Sequence, residues 1–387
     1  MKKLLSVLMV GIMALSTVSL VACGGDDTYI DEDGNVQKKT ILRFFGWGSI
    51  EEQEIFGTMV EMFNEEYPQY KVEYEATSGN LYMNTLAGKK NNPRSMPDVF
   101  YLDDTYFCQW IYDSDIMLNL SPYIEKSETF SVDNVWYEAF NAYRFDPESK
   151  LLGTGNIYAM PKDVGPYALV YNKTAAKAKG VTIISDENGT VGYNAQTKTL
   201  NDQVSMTWAQ FIRFCQDTQT GEFDDKDVII GTTHYPLEVA YTSMGEGAHF
   251  LDSTRKQAQI NTARYAEAAQ FVADICNVYQ CGLTPENQQT MSGYERFVSG
   301  RAVTTWCGPW NTPEMWYCDF DWDILPIPVP NESGDLTNLT EGARTGCKGV
   351  SYLGSAGLCV YSKSQHPDAA YLFAEYLSVN RAGQRKN

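Results

Sequence analysis

Gly155–Val181 reads GNIYAMPKDVGPYALVYNKTAAKAKGV, and the order of its residue types decides the architecture. Ile157-Tyr158-Ala159 has the β-branched and aromatic content of a short strand, and Pro161, Gly165 and Pro166 mark a turn region. Tyr167–Tyr171 then forms a second strand. Asn172-Lys173-Thr174 opens a helix that Gly180 closes. Two strands around a rigid polar loop place Asp163 and Tyr167 at a strand end, where open α/β sheets hold ligands.

The segment Thr40–Tyr101 repeats this logic. TILRFF is a strand stopped by Gly46-Trp47-Gly48, and Ser49 is a cap for the helix Ile50–Tyr67, with Glu51 and Glu52 in its first turn. Lys71–Ala76 alternates as a strand, Leu81–Lys90 reads as a helix, and Pro97–Tyr101 is a strand ending at Leu102-Asp103-Asp104. A β-α-β-α-β order implies a mostly parallel sheet with right-handed crossovers. Trp47, Asp103 and Asp104 fall at its strand ends. An indole face with nearby carboxylates suits a pyranose, whose C–H face stacks and whose hydroxyls donate. Trp47 could equally pack beneath its loop, and one of the two aspartates is free to cap the following helix.

The stretches Gly155-x-Ile157-Tyr158-x-Met160-Pro161, Tyr171-Asn172-Lys173 and Gly180-Val181 resemble the signature of the extracellular solute-binding proteins of bacterial ABC importers, the family-1 group that includes maltose- and multiple-sugar-binding proteins. PDVFYLDD (97–104), TWAQF (207–211), FVSGRAVTTWCGPW (297–310), Ile324–Pro328 and PDAAYLFAEYL (367–377) resemble further motifs of that family, in the same order. The resemblance runs from Leu42 to Leu377. It implies a two-lobed α/β fold of the periplasmic-binding-protein type II, a parallel sheet flanked by helices in each lobe, and a ligand cleft between the lobes. The expected division is 40–142 with 262–312 for the first lobe and 143–261 with 313–387 for the second, with hinges near Phe140–Pro147, Ile260–Asn261 and Asn311–Glu314.

The resemblance implies a ligand site built from Trp47, Asp103, Asp104, Asp163, Tyr167, Tyr241, Glu246, Trp306 and Trp310, with Arg344 and Ser351 as secondary candidates from a glycine-rich loop, Gly342–Gly357. Tyr241 sits on an expected helix Glu238–Phe250, and core packing is the competing role for it and for both tryptophans. Hinge closure would bury a carbohydrate, and the closed form would be presented to an ABC permease and its ATPase by a monomeric binding protein. The family also implies several further helices beyond Leu377, which the sequence to Asn387 does not supply, so the site is expected to be incomplete.

Met1-Lys2-Lys3 followed by the apolar run Leu4–Leu20 reads as a secretory signal, residues 1–22, rather than a membrane span. Leu20-Val21-Ala22-Cys23 resembles a bacterial lipobox, which implies a lipid-anchored Cys23 on the outer face of the cell membrane. Residues 24–39 then read as a solvated tether. Eight further cysteines could pair in an exported chain, Cys276 with Cys281 and Cys307 with Cys318 being nearest in sequence, or remain buried thiols.

Bulk properties exclude several function classes. The formal charge of -19, or -21 once Lys2 and Lys3 are removed with the leader, argues against nucleic acid, anionic lipid and phosphorylated ligands. Three histidines without metal-ligand spacing, and no P-loop, dinucleotide fingerprint or G-x-S-x-G, give no ground for a metal, cofactor or nucleophilic enzyme. A secreted glycoside hydrolase, with Asp103 paired to Asp163 or Glu246, and a binder of polyamine-like cations remain the alternatives to a sugar-binding protein.

Overall fold

The computed structural model describes residues 27–113, 115–221 and 228–380. The expected leader, Cys23 and the basic tail from Arg381 lie outside the described residues. Chain contacts divide the molecule into two compact units, one running to Val164 and resuming at Ser355, the other spanning Gly165–Gly354.

The first unit opens with a hairpin where a tether was expected. Strands β1 (Thr28–Ile30) and β2 (Val36–Lys38) pair antiparallel. Their polar composition hid them. The turn is built by Asp31, whose carboxylate accepts from the backbone N–H groups of Asp33 and Asn35 and from Gln37, while Gly34 takes a φ of +83°.

The main sheet follows. Strands β3 (Thr40–Trp47), β4 (Tyr70–Thr77) and β5 (Val99–Asp103) are parallel, as their connecting helices require. The helix Ile50–Glu66 starts at a capping box between Ser49 and Glu52 and buries Phe56, Met59, Val60 and Phe63, a helical-period stripe, in the core. The helix Pro367–Val379 joins the same core, with Phe373 edge-on to Phe44 at 5.3 Å.

Strands β6 (Arg144–Asp146), β7 (Leu151–Leu152) and β8 (Asn156–Ile157) form a small antiparallel sheet in this unit, where a crossover between lobes was expected. β9 (Ala159–Pro166) runs straight through the expected turn region. It stands last in the order β4-β3-β5-(353–360)-β9, an edge position where two prolines leave no partner strand without a donor.

In the second unit β10 (Ala168–Asn172) leads into the helix Lys173–Ala178. Asn172 caps that helix through Ala175 N–H, and Gly180 ends it at a φ of +82°. β11 (Thr182–Ile184), β12 (Tyr193–Asn194) and β13 (Thr199–Asn201) make a three-stranded sheet. β14 (Ile230–Thr232), β15 (Ala302–Cys307) and β16 (Trp322–Leu325) join β10 in the order β14-β15-β10-β16. β14 and β15 are parallel and the other pairs antiparallel, so the sheet is mixed rather than mostly parallel. Trp208 lies flat on Phe271 with ring centres 4.0 Å apart, at the heart of this unit's core. The expected helix 238–250 is only Leu237–Thr242, because Gly245 and Gly247 take φ values of +90° and +82°.

The expected division of the chain differs from these units. Residues 262–312 belong to the second unit, because β15 pairs with β10 at Leu169↔Trp306 and Tyr171↔Thr304. Residues 143–164 stay in the first unit, and the return to it falls inside β17 (Leu353–Val360), not near Asn311. All eight described cysteines are free thiols.

Candidate functional site

In the first unit β3 and β5 end together at Trp47 and Asp103, and β17 runs back antiparallel with Ala356 opposite Asp103. Trp47 is half-buried, edge-on to Tyr82 at 4.7 Å and Tyr101 at 5.0 Å, so part of its indole is wall and part is surface. The two aspartates divide their roles. Asp103 accepts from Tyr106 N–H at 2.7 Å and caps the helix Asp104–Asp113; Asp104 occupies its first turn. Burial holds both carboxyls above their ordinary range, and the charge of Asp103 adds to the effect on Asp104.

Asp163 accepts from Ala356 N–H at 3.0 Å and pairs with Lys162 at 2.7 Å. Lys162 also pairs with Glu52 at 2.9 Å. Neither Lys162 nor Glu52 was singled out in the sequence. A lysine in an expected polar loop reads as solvated, and Glu52 reads as a first-turn acid that suits the helix dipole. Continuation of β9 through Pro161 turns Lys162 inward.

In the second unit three rings gather. Tyr167 precedes β10, Trp310 lies in the turn Pro309–Asn311 after β15, and Tyr352 precedes β17. Tyr167 stacks on Tyr352 with centres 4.7 Å apart and meets Trp310 at 5.7 Å. Ser351 Oγ donates to the Tyr167 carbonyl, and Tyr167 N–H donates to the Tyr352 carbonyl at 3.1 Å, which stitches the two chain segments together. Trp310 is 46% exposed and Tyr352 39%. Gly308 and Gly354 both sit against the indole: a Cβ on either would stand within about 3 Å of its ring. Tyr352 escaped the sequence reading because nothing in a glycine-rich loop distinguishes an aromatic that pairs across the fold.

Three expected site residues have their side chains engaged elsewhere, and a fourth, Glu246, lies on an exposed loop. Tyr241 is fully buried and donates to the Gln259 carbonyl at 2.8 Å. Trp306 is 2% exposed and packs edge-on to Tyr235 at 5.0 Å. β15 is buried along its whole length, Trp306 included, whereas Trp310 follows the Gly308-Pro309 turn and escapes the core. Arg344 is held by Glu267 in a two-point ion pair at 3.0 and 2.5 Å. Glu246 lies on the exposed loop after the shortened helix, where its carbonyl accepts from Arg264.

A separate hollow of about 660 Å³ in the first unit is lined by Leu118, Tyr123, Tyr371 and Glu375 among others. The Glu375 carboxylate there is already satisfied by Tyr371 at 2.6 Å, Ser127 at 3.1 Å and Thr129.

The family model described as "Bacterial extracellular solute-binding protein" matches residues 58–387. The chain belongs to that family. Its place is therefore outside the cytoplasm. An arabinooligosaccharide-binding protein of Halalkalibacterium halodurans is 22% identical over 375 residues, 93% of this chain and 72% of that one. An uncharacterized ABC transporter extracellular-binding protein of Pyrococcus horikoshii is 25% identical over 191 residues, and the match spans only 39% of its length. Among solved structures, an ABC substrate-binding protein of Listeria monocytogenes in complex with cycloalternan superposes with a TM-score of 0.70 at 18% identity, covering 90% of this chain and 78% of that one. The Thermus thermophilus maltotriose binding protein, bound with maltotriose, gives a TM-score of 0.61 at 16% identity, covering 89% and 79%. These likenesses establish the two-lobed fold.

Proposed function

We propose that this solute-binding protein captures a neutral carbohydrate, an oligosaccharide rather than a monosaccharide, and delivers it to an ABC permease. The observation that carries the reading is the Tyr167–Trp310–Tyr352 platform, three rings gathered with two of them well exposed. Exposed rings of this size, held by backbone hydrogen bonds, present flat apolar faces to the C–H face of a pyranose at little cost in ordering. Trp47 with Asp104 and Asp163 supplies a second surface, one indole edge and carboxylates that accept hydroxyl donors. The ligands of these similar proteins, arabinooligosaccharide, cycloalternan and maltotriose, are all sugars.

Capture proceeds by hinge movement where the chain passes between the units, at Val164–Gly165 and Gly354–Ser355, with the ligand favouring the closed state. Cys23 carries a diacylglycerol anchor, and the protein acts as a monomer without enzymatic turnover. The test is a thermal-shift screen of the leaderless protein against neutral oligosaccharides. A ligand at a hundredfold over its Kd stabilises by about 2.7 kcal/mol. A shift that weakens in Trp310→Ala supports the reading; hydrolysis of the added sugar, or a response to polyamines alone, overturns it. Release of the full-length protein from the membrane by Cys23→Ala tests the anchor.

A further inference from the structure

We propose that Glu52 and Asp163, both gripped by Lys162, form a two-carboxylate fork that accepts hydroxyls of a neutral sugar and rejects acidic ones; this rests on the carbohydrate reading above. Lys162 Nζ stands 2.7 Å from Asp163 Oδ2 and 2.9 Å from Glu52 Oε1. Its side chain is 4% exposed, against 24% for Glu52 and 40% for Asp163, so the cation is the floor of the cluster and the carboxylates are its rim. The ammonium lies over the rings of Phe56 at 5.0 Å and Tyr101 at 5.4 Å. Burial alone would favour a neutral lysine, but the charges of Asp163 and Glu52 outweigh it and hold the group above its ordinary range.

Each carboxylate is fixed at both oxygens. Asp163 Oδ1 accepts from Ala356 N–H at 3.0 Å, and Glu52 Oε2 accepts from Ser49 N–H at 3.3 Å in the capping box. A carboxylate oxygen can accept two hydrogen bonds, so each retains capacity on its exposed side. Acceptors locked in this way lose little freedom when a hydroxyl arrives. The trio carries one positive and two negative charges, and its positive member is shielded from solvent. An acidic ligand therefore meets carboxylates, not the ammonium. Neutral hydroxyls gain charge-assisted bonds at the same place.

The test measures affinities of maltotriose and arabinotriose against two acidic probes, trigalacturonate and maltotriose with its terminal hydroxymethyl oxidised to a carboxylate. The intact protein is expected to bind a neutral trimer at least about tenfold tighter than its acidic counterpart. The isosteric Glu52→Gln and Asp163→Asn should each weaken the neutral trimer about fivefold to tenfold and narrow the neutral-to-acidic ratio. Lys162→Met should abolish neutral binding, and Lys162→Arg should restore part of it, a rescue that a merely structural role of the methylene stem does not give. If Lys162→Met does not fold, the two amide variants decide alone. Neutral binding with an unchanged ratio in both amide variants overturns the fork and leaves the carbohydrate reading standing; preference for an acidic trimer overturns the fork and the neutral character of the proposed ligand together. Failure of all four probes overturns both.

Discussion

Replacing Trp306 and Trp310 by alanine, one at a time, separates two tryptophans that stand four residues apart. Trp306 is 2% exposed in the second unit's core, beside Tyr235. Truncating a core tryptophan loses its transfer free energy and leaves a void, about 3–5 kcal/mol in total. For a unit of this size each kcal/mol moves the midpoint by about 2–4 °C, so Trp306→Ala should lower that unit's melting point by about 6–20 °C without ligand. Trp310 is 46% exposed, which for a side chain of about 200 Å² leaves about 90 Å² open. A sugar ring covering half of that buries about 45 Å², worth about 1 kcal/mol at 25 cal/mol/Å², or about fivefold in Kd. Trp310→Ala should therefore weaken the sugar about fivefold to tenfold while shifting the ligand-free midpoint by no more than a degree or two. Scanning calorimetry of both variants, with and without the sugar identified in the screen, reads both quantities. A Trp306→Ala protein with an unaltered midpoint but no sugar response would refute the assignment of that indole to the core.

Arg344→Ala should lower stability by up to about 1 kcal/mol, an effect that fades in high salt, and leave sugar affinity alone, because its guanidinium is engaged by Glu267. Gly231→Ala should destabilise by about 1–3 kcal/mol in urea titration, since the new Cβ would stand 2.5 Å from Cys215 Cβ and 2.6 Å from its carbonyl oxygen. Asp104 titrates above its ordinary range through burial and the charge of Asp103, so the fold favours its protonated form. Its contribution is full below the ordinary carboxylate range and is lost as pH rises through the raised value. Asp104→Asn should accordingly raise the melting point at neutral pH and give no gain in strong acid.

Much of the fold was legible because local chemistry and tertiary role coincide in it. Ser49 caps the helix it was expected to cap, through a capping box that Thr207 repeats at the next unit's helix Trp208–Thr218, and the Phe56–Met59–Val60–Phe63 stripe is buried as its period demands. The expectations that failed did so where long-range pairing overrides local signals. Pro161, Gly165 and Pro166 spell a turn, yet β17 and the chain around Pro309 hold that segment extended. A polar segment at 28–38 spells a tether, yet Asp31 closes it into a hairpin. Unit boundaries were misplaced because successive β-α segments look alike whichever sheet they join. Residue type alone singles out Trp47, Asp163, Tyr167 and Trp310 as candidates, but not that Trp306 faces inward or that Lys162 lies beneath two carboxylates. Those facts depend on the burial of β15 along its whole length and on partners more than a hundred residues away.

The two glycines against Trp310 turn that platform into something recognisable in other sequences. At Gly308 a Cβ would overlap the indole at 2.2 Å, so the ring can hold its position only while that glycine stays bare; at Gly354 a Cβ would press on it at 3.0 Å. A relative that acquires a side chain at Gly308 must displace or abandon the tryptophan, and one that acquires it at Gly354 must shift the ring slightly. The pair of Gly308 and Trp310 should be inherited or lost as a unit across the family. Its presence would then sort relatives by the shape of what they carry, ahead of any ligand screen and independently of overall identity.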